Sequence, residues 1–140
     1  MANELVLMFE TSLPIPMIVA NGTGIEQGTL LKGSDPFTVA ASAAAEDQFG
    51  GVAAGEKIAS DGVLTIPVYL SGIFKAVASG NVTYNDPLVT AVPAGNLLAS
   101  AIGRTTVQLS GNRIFGRALE TATAAQTFLF ELRPITLPIG

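Results

Sequence analysis

Histidine, cysteine and tryptophan are absent from this chain, and charged residues make up only 13% of it. Losing histidine removes the commonest general base, the Ser-His and Cys-His nucleophile arrangements, and the commonest zinc ligand. Losing cysteine removes disulfides and thiolate metal sites, which suits a chain made in a reducing cytosol. Eleven carboxylates remain, yet Glu46-Asp47 is their single adjacent pair. A hard cation needs several converging oxygens, so that pair reads as a solvated loop tip. The expectation is no cofactor, no metal and no enzyme. Seven Lys and Arg are scattered against a net charge of −4, without the basic face that displaces counterions from nucleic acid. The longest apolar runs, 13–20 and 63–70, are broken by proline and fall far short of the roughly 18–20 residues that span a bilayer. Met1-Ala2-Asn3-Glu4 has no cationic start of a signal peptide. Neither nucleic acid nor membrane is the expected partner.

Hydrophobic residues account for 49% of the chain and the mean hydropathy is +0.50. An average soluble domain is about 25% charged, so so little charge implies that a protein partner covers apolar surface. The length of 140 residues suits one domain. Between closely spaced Gly and Pro lie segments rich in Val, Ile, Thr, Leu and Phe, the pattern of an all-β chain. Asp61-Gly62 reads as a two-residue hairpin turn, followed by Leu64, Ile66, Val68 and Leu70 on one face and Thr65, Pro67, Tyr69 and Ser71 on the other. Ser71-Gly72 marks a corner. Residues 114–119 and 127–132 read as paired strands, with Phe74, Phe115, Phe128 and Phe130 packing a core. The spacing Gly22-x-Gly24-x-x-x-Gly28 departs from a nucleotide fingerprint and reads as a turn. No fixed-period repeat is visible.

The two ends share a style. Leu13, Pro14, Ile15, Pro16, Met17 and Ile18 alternate proline with large apolar residues, and Arg133, Pro134, Ile135, Leu137 and Pro138 do the same. Proline cannot donate to a ladder, so residues 1–20 read as an extended arm. Residues 21–132 read as a small β-barrel or β-sandwich-like domain, and 133–140 as a tail. Both ends are candidate protein interfaces.

One ordered set of local patterns resembles a known family. Gly28-Thr29-Leu30-Leu31-Lys32, Asp35-Pro36 and Phe49-Gly50-Gly51-Val52-Ala53 lead into Glu56-Lys57-Ile58-Ala59-Ser60-Asp61-Gly62. Ile66-Pro67-Val68-Tyr69, Gly72-Ile73-Phe74, Ala78-Ser79-Gly80 and Gly116-Arg117-Ala118-Leu119-Glu120-Thr121-Ala122 follow. This succession is similar to the capsid cement, or head decoration, proteins of tailed bacteriophages. The resemblance implies an all-β barrel-like fold on the outer capsid surface of a virion, bound to the major capsid protein. It implies a homo-oligomer, trimer favoured over dimer, and no active site. A tail- or surface-associated β binding module is the alternative. A small trimeric β enzyme of the dUTP pyrophosphatase kind would need acidic and Ser/Gly-rich nucleotide motifs, which are not found.

Overall fold

β-branched and aromatic residues set where strands run, and Gly, Pro, Asn and Asp set where they stop. The computed structural model describes residues 4–42, 48–92, 96–100 and 114–135. Among them lie strands β1 (Val6–Phe9), β2 (Ile15–Ile18), β3 (Leu30–Ser34), β4 (Thr38–Ala41), β5 (Phe49–Ala53) and β6 (Thr65–Tyr69). They continue with β7 (Gly72–Ala78), β8 (Pro87–Val92), β9 (Leu97–Ser100), β10 (Ile114–Ala118) and β11 (Thr127–Ile135). The all-β expectation holds.

The fold is a duplication that the sequence does not display. Strands β2-β4-β3-β5-β6 form a closed barrel. Strands β7-β11-β10-β8-β9 close in turn through the β7–β9 pairing. The pairings match one to one. β2–β4 and β7–β9 are parallel, while β2–β6, β3–β4, β3–β5 and β5–β6 are antiparallel. So are their counterparts β7–β11, β8–β9, β8–β10 and β10–β11. Strand β1 is added to the second barrel, against β7.

Four corners carry the repeat: residues 22–29, 54–61, 79–86 and 119–126. They meet in pairs through the bridges Ile25↔Lys57 and Val82↔Ala122. Each ends in a turn whose last N–H returns to the carbonyl three residues back: Thr29 to Glu26, Asp61 to Ile58, Asp86 to Thr83 and Gln126 to Thr123. The third turn residue has positive φ in every case: Gly28 (87°), Ser60 (60°), Asn85 (75°) and Ala125 (69°). That residue's N–H crosses to the facing unit. Gly28 donates to Ala53, Ser60 to Asn21, Asn85 to Ala118 and Ala125 to Ala78, at 2.7–2.8 Å. Each corner therefore satisfies backbone groups of its partner.

The barrels share apolar surface. Met17, Val19, Leu31, Val39, Ala53, Ile66 and Val68 fill the first. Phe74, Phe115, Phe128 and Phe130 pack the second, as expected, and Leu5, Leu30 and Val52 join that same cluster. Leu30 and Leu31 thus bury opposite faces of β3, as Val52 and Ala53 do for β5. Phe49 meets Phe115 edge-on at 4.9 Å and Tyr69 meets Phe74 at 5.6 Å, geometry aromatic rings prefer.

Asp61-Gly62 does not make a two-residue hairpin. Strands β5 and β6 do pair, at Val52↔Tyr69 and Ala53↔Val68, but the chain between them leaves the ladder because Lys57 bridges to Ile25. Leu64 consequently precedes β6 and is exposed, whereas Ile66 and Val68 are buried and Thr65 faces out. The positive-φ positions are testable. A Cβ on Gly28 would lie 2.5 Å from the Leu5 carbonyl oxygen, so Gly28→Ala is expected to destabilise by at least about 1–2 kcal/mol. Ala125→Gly, relieving the same backbone cost, is expected to raise stability by about 0.5–1 kcal/mol. Denaturant titration of the two variants measures both signs.

Candidate interaction surface

Residues 4–20, the described part of the expected arm 1–20, do not hang off the domain. Leu5 is buried in the second barrel's core, and β2 is a stave of the first barrel. The prolines fit because of register. Pro16 lies opposite Pro67, and the Pro67 carbonyl accepts from Ala54 N–H at 2.9 Å. Its polar edge thus faces β5 and not β2. Strand β4 meets β2 at Ile18↔Thr38, so nothing in that ladder asks Pro16 for a donor. Sequence alone misjudged this because proline excludes a strand position only where an N–H is required.

The proposed interface residues fall on both sides of the wall. Met17 is buried, Pro14 and Ile15 are half-buried, and Leu13, Pro16 and Ile18 are exposed. Leu13 is held near the joint between the barrels, where Ser71 Oγ bonds Thr11 Oγ1 (2.9 Å) and Ser12 Oγ (2.6 Å). Strand β11 pairs Leu132 with Gly72 beside that joint and runs on through Pro134 and Ile135, and Arg133 is exposed. Residues 11–12 and Leu132 therefore both flank the start of β7. Leu137 and Pro138, like Glu46, Asp47 and Arg113, lie outside the described residues.

The strongest electrostatic feature is structural. Lys57 is fully buried, and its ammonium donates to the Ile58 carbonyl (2.6 Å), the Asn21 carbonyl (2.9 Å) and Asp61 Oδ1 (2.6 Å). Its counterparts at the other bridge positions, Ile25, Val82 and Ala122, are buried and apolar. A buried ammonium is tolerable because every proton has an acceptor. Hydrogen bonding from Lys57, then from Val63 N–H, holds the Asp61 carboxyl below its ordinary value. Only the i, i+4 spacing of Lys57 and Asp61 foreshadowed this clamp in the sequence.

Beside it lies a groove of about 340 Å³ lined by Ile25, Glu26, Thr29, Glu56 and Ile58, among others. Thr29 Oγ1 is buried there without a hydrogen-bond partner. Among the described residues no base hydrogen-bonds that hydroxyl, the contact that activates a nucleophile. Among the described residues no cluster of three or more metal-ligating side chains occurs. Arg117 is committed internally, to Glu131 (2.8 Å) and Asn85 (2.9 Å). Exposed apolar side chains include Val6, Met8 and Phe9 on β1, Ile18, Phe37, Val63 and Leu64 at one end of the first barrel, and Ile58 and Tyr84 in the corners.

No family model matches the chain, and no curated protein does. Among solved structures, the crystal structure of the N base of the head fiber gp8.5 in bacteriophage phi29 is similar. The TM-score is 0.51 at 17% identity, over 96% of this chain and 99% of that one. Likeness at that identity is likeness of fold.

Two outcomes follow. Deleting residues 1–15 removes Leu5, all of β1 and the first residue of β2, and is expected to give an unfolded chain by circular dichroism. A folded product would mean the first barrel closes without this segment. The Asp61 carboxyl is depressed in the folded state, so its contribution to stability is present above its ordinary pKa and is lost as pH falls through the lowered one. Asp61→Asn is expected to melt lower than the parent at neutral pH, and the difference should shrink as pH falls toward 2.

Proposed function

We propose that this chain is a structural protein of a bacteriophage head, acting as a cement that binds the outside of the assembled shell and secures contacts between major capsid protein subunits. The carrying observation is the fold shared along nearly the whole of both chains with the phi29 head fiber base. The ordered resemblance to head decoration proteins supports the same reading. So does the chemistry of the surface. Exposed ion pairs weaken with salt, whereas apolar contact contributes about 25 cal/mol per Å² with little salt dependence. Many copies on one lattice then add avidity. The joint where Leu13 and Arg133 emerge, with Pro134 and Ile135 following along β11, is the surface assigned to the shell.

A second reading has its own support, since the similar structure is the base of a fiber. On that reading the chain seats an appendage on the head. Quantitative mass spectrometry of purified particles, with a heat-resistance assay of the heads, separates the two. Cement requires copies in fixed proportion to the major capsid protein, and heads lacking the chain should regain heat resistance when it is added back. Head-bound copies that leave heat resistance unchanged would favour the appendage base, a handful of copies per particle would favour a tail-associated module, and absence from particles would end all three readings.

A further inference from the structure

The duplication supplies a comparison inside the molecule. Each barrel has a tip that ends in a positive-φ residue just before its third strand in chain order: Phe37 (48°) before β4 and Asn96 (54°) before β9. The two tips meet different fates. Asn96 is 1% exposed, and its Oδ1 accepts the N–H of Leu30 at 3.0 Å. Leu30 opens β3 directly after the first corner. The tip of the second barrel is therefore docked on the base of the first.

Phe37, at the equivalent tip of the first barrel, is 54% exposed. It sits among more apolar surface. Ile18 N–H donates to the Phe37 carbonyl (3.0 Å) and Val19 N–H to the Leu64 carbonyl (2.9 Å). Ile18 is 42% exposed, Val63 44% and Leu64 61%. The base equivalent to Leu30 is Pro87, which opens β8 directly after the third corner, next to exposed Tyr84.

We infer that the Phe37 tip of one molecule docks on the Tyr84–Pro87 base of a second copy, repeating between chains the contact that the two barrels make within one. The chemistry matches as a pair. Inside the chain, an acceptor (Asn96 Oδ1) meets a donor (Leu30 N–H). Between chains, a side chain with no acceptor (Phe37) meets a residue with no N–H (Pro87). Replacing both partners of a buried hydrogen bond by apolar groups leaves nothing unsatisfied, whereas a mixed pair would strand one polar atom. Tip and base are different surfaces, so the contact is head-to-tail and closes into a ring or continues as a filament. It stands on the duplication alone and does not depend on the shell-binding reading.

Light scattering after size exclusion tests it on the full chain. The parent is expected to be oligomeric. Phe37→Asp and Tyr84→Asp change exposed side chains, and each is expected to keep the parent circular dichroism while weakening self-association about tenfold or more. An equimolar mixture of the two variants retains one intact tip and one intact base, so it is expected to recover a heterodimer. A monomeric parent overturns the inference, as does a Phe37→Asp variant that assembles like the parent. Loss of assembly in Phe37→Asp with none in Tyr84→Asp also overturns it, since the tip would then meet a different surface.

Discussion

Each barrel is held shut by two corners that complete one another. Ile25 and Lys57 exchange backbone hydrogen bonds at 2.8 and 2.7 Å, and Val82 and Ala122 do so at 2.8 and 2.9 Å. A corner cannot satisfy its own polar groups, because its positive-φ N–H has its acceptor in the residue just before the facing corner. Buried backbone groups left unpaired are costly, so neither corner is stable alone and the barrel forms as a unit. Leu5 N–H donates to the Gly28 carbonyl, which ties β1 of the second barrel to a corner of the first. The joint between the barrels is thereby built from the same backbone currency as the corners, reinforced by Leu30 and Val52.

Closure also limits the strand edges through which a chain with so little charge could aggregate. A closed barrel has no edge. Among the described residues β1 alone has a single strand neighbour. It is short, and Glu4 and Glu10 flank it, which discourages pairing with another copy of itself. Most of the large apolar side chains left exposed lie at the first barrel's tip and on β1, with Leu13 at the joint and Ile58 and Tyr84 in corners.

Much of the fold is legible in residue pattern. The period-two run through Ile66 and Val68, the four core phenylalanines and the β10–β11 pair all follow from alternation and turn chemistry. The duplication is not, because the corners are specified by backbone bonds and not by residue identity. Their positive-φ sites hold Gly28, Ser60, Asn85 and Ala125, four different residue types, and their bridge sites hold Ile25, Lys57, Val82 and Ala122. Only the second barrel keeps a shared trace: Thr83 and Thr123 N–H groups each bond the side chain three residues on, Asp86 and Gln126. Pro16 misled for a related reason. Whether a strand position tolerates proline depends on which edge has a neighbour, and that is a property of the assembled barrel. The patch around Phe37 was equally hidden, since Ile18 and Leu64 become neighbours only when β2 pairs with β6.

The claim that this duplicated barrel serves at the surface of a phage head is tested most directly by image reconstruction of the particle that carries it. The account predicts two-barrel density outside the shell, repeated at every equivalent junction between major capsid protein subunits, with the Leu13 and Arg133 joint turned toward the shell. Density confined to one vertex or to the tail, or none on the shell, would contradict it.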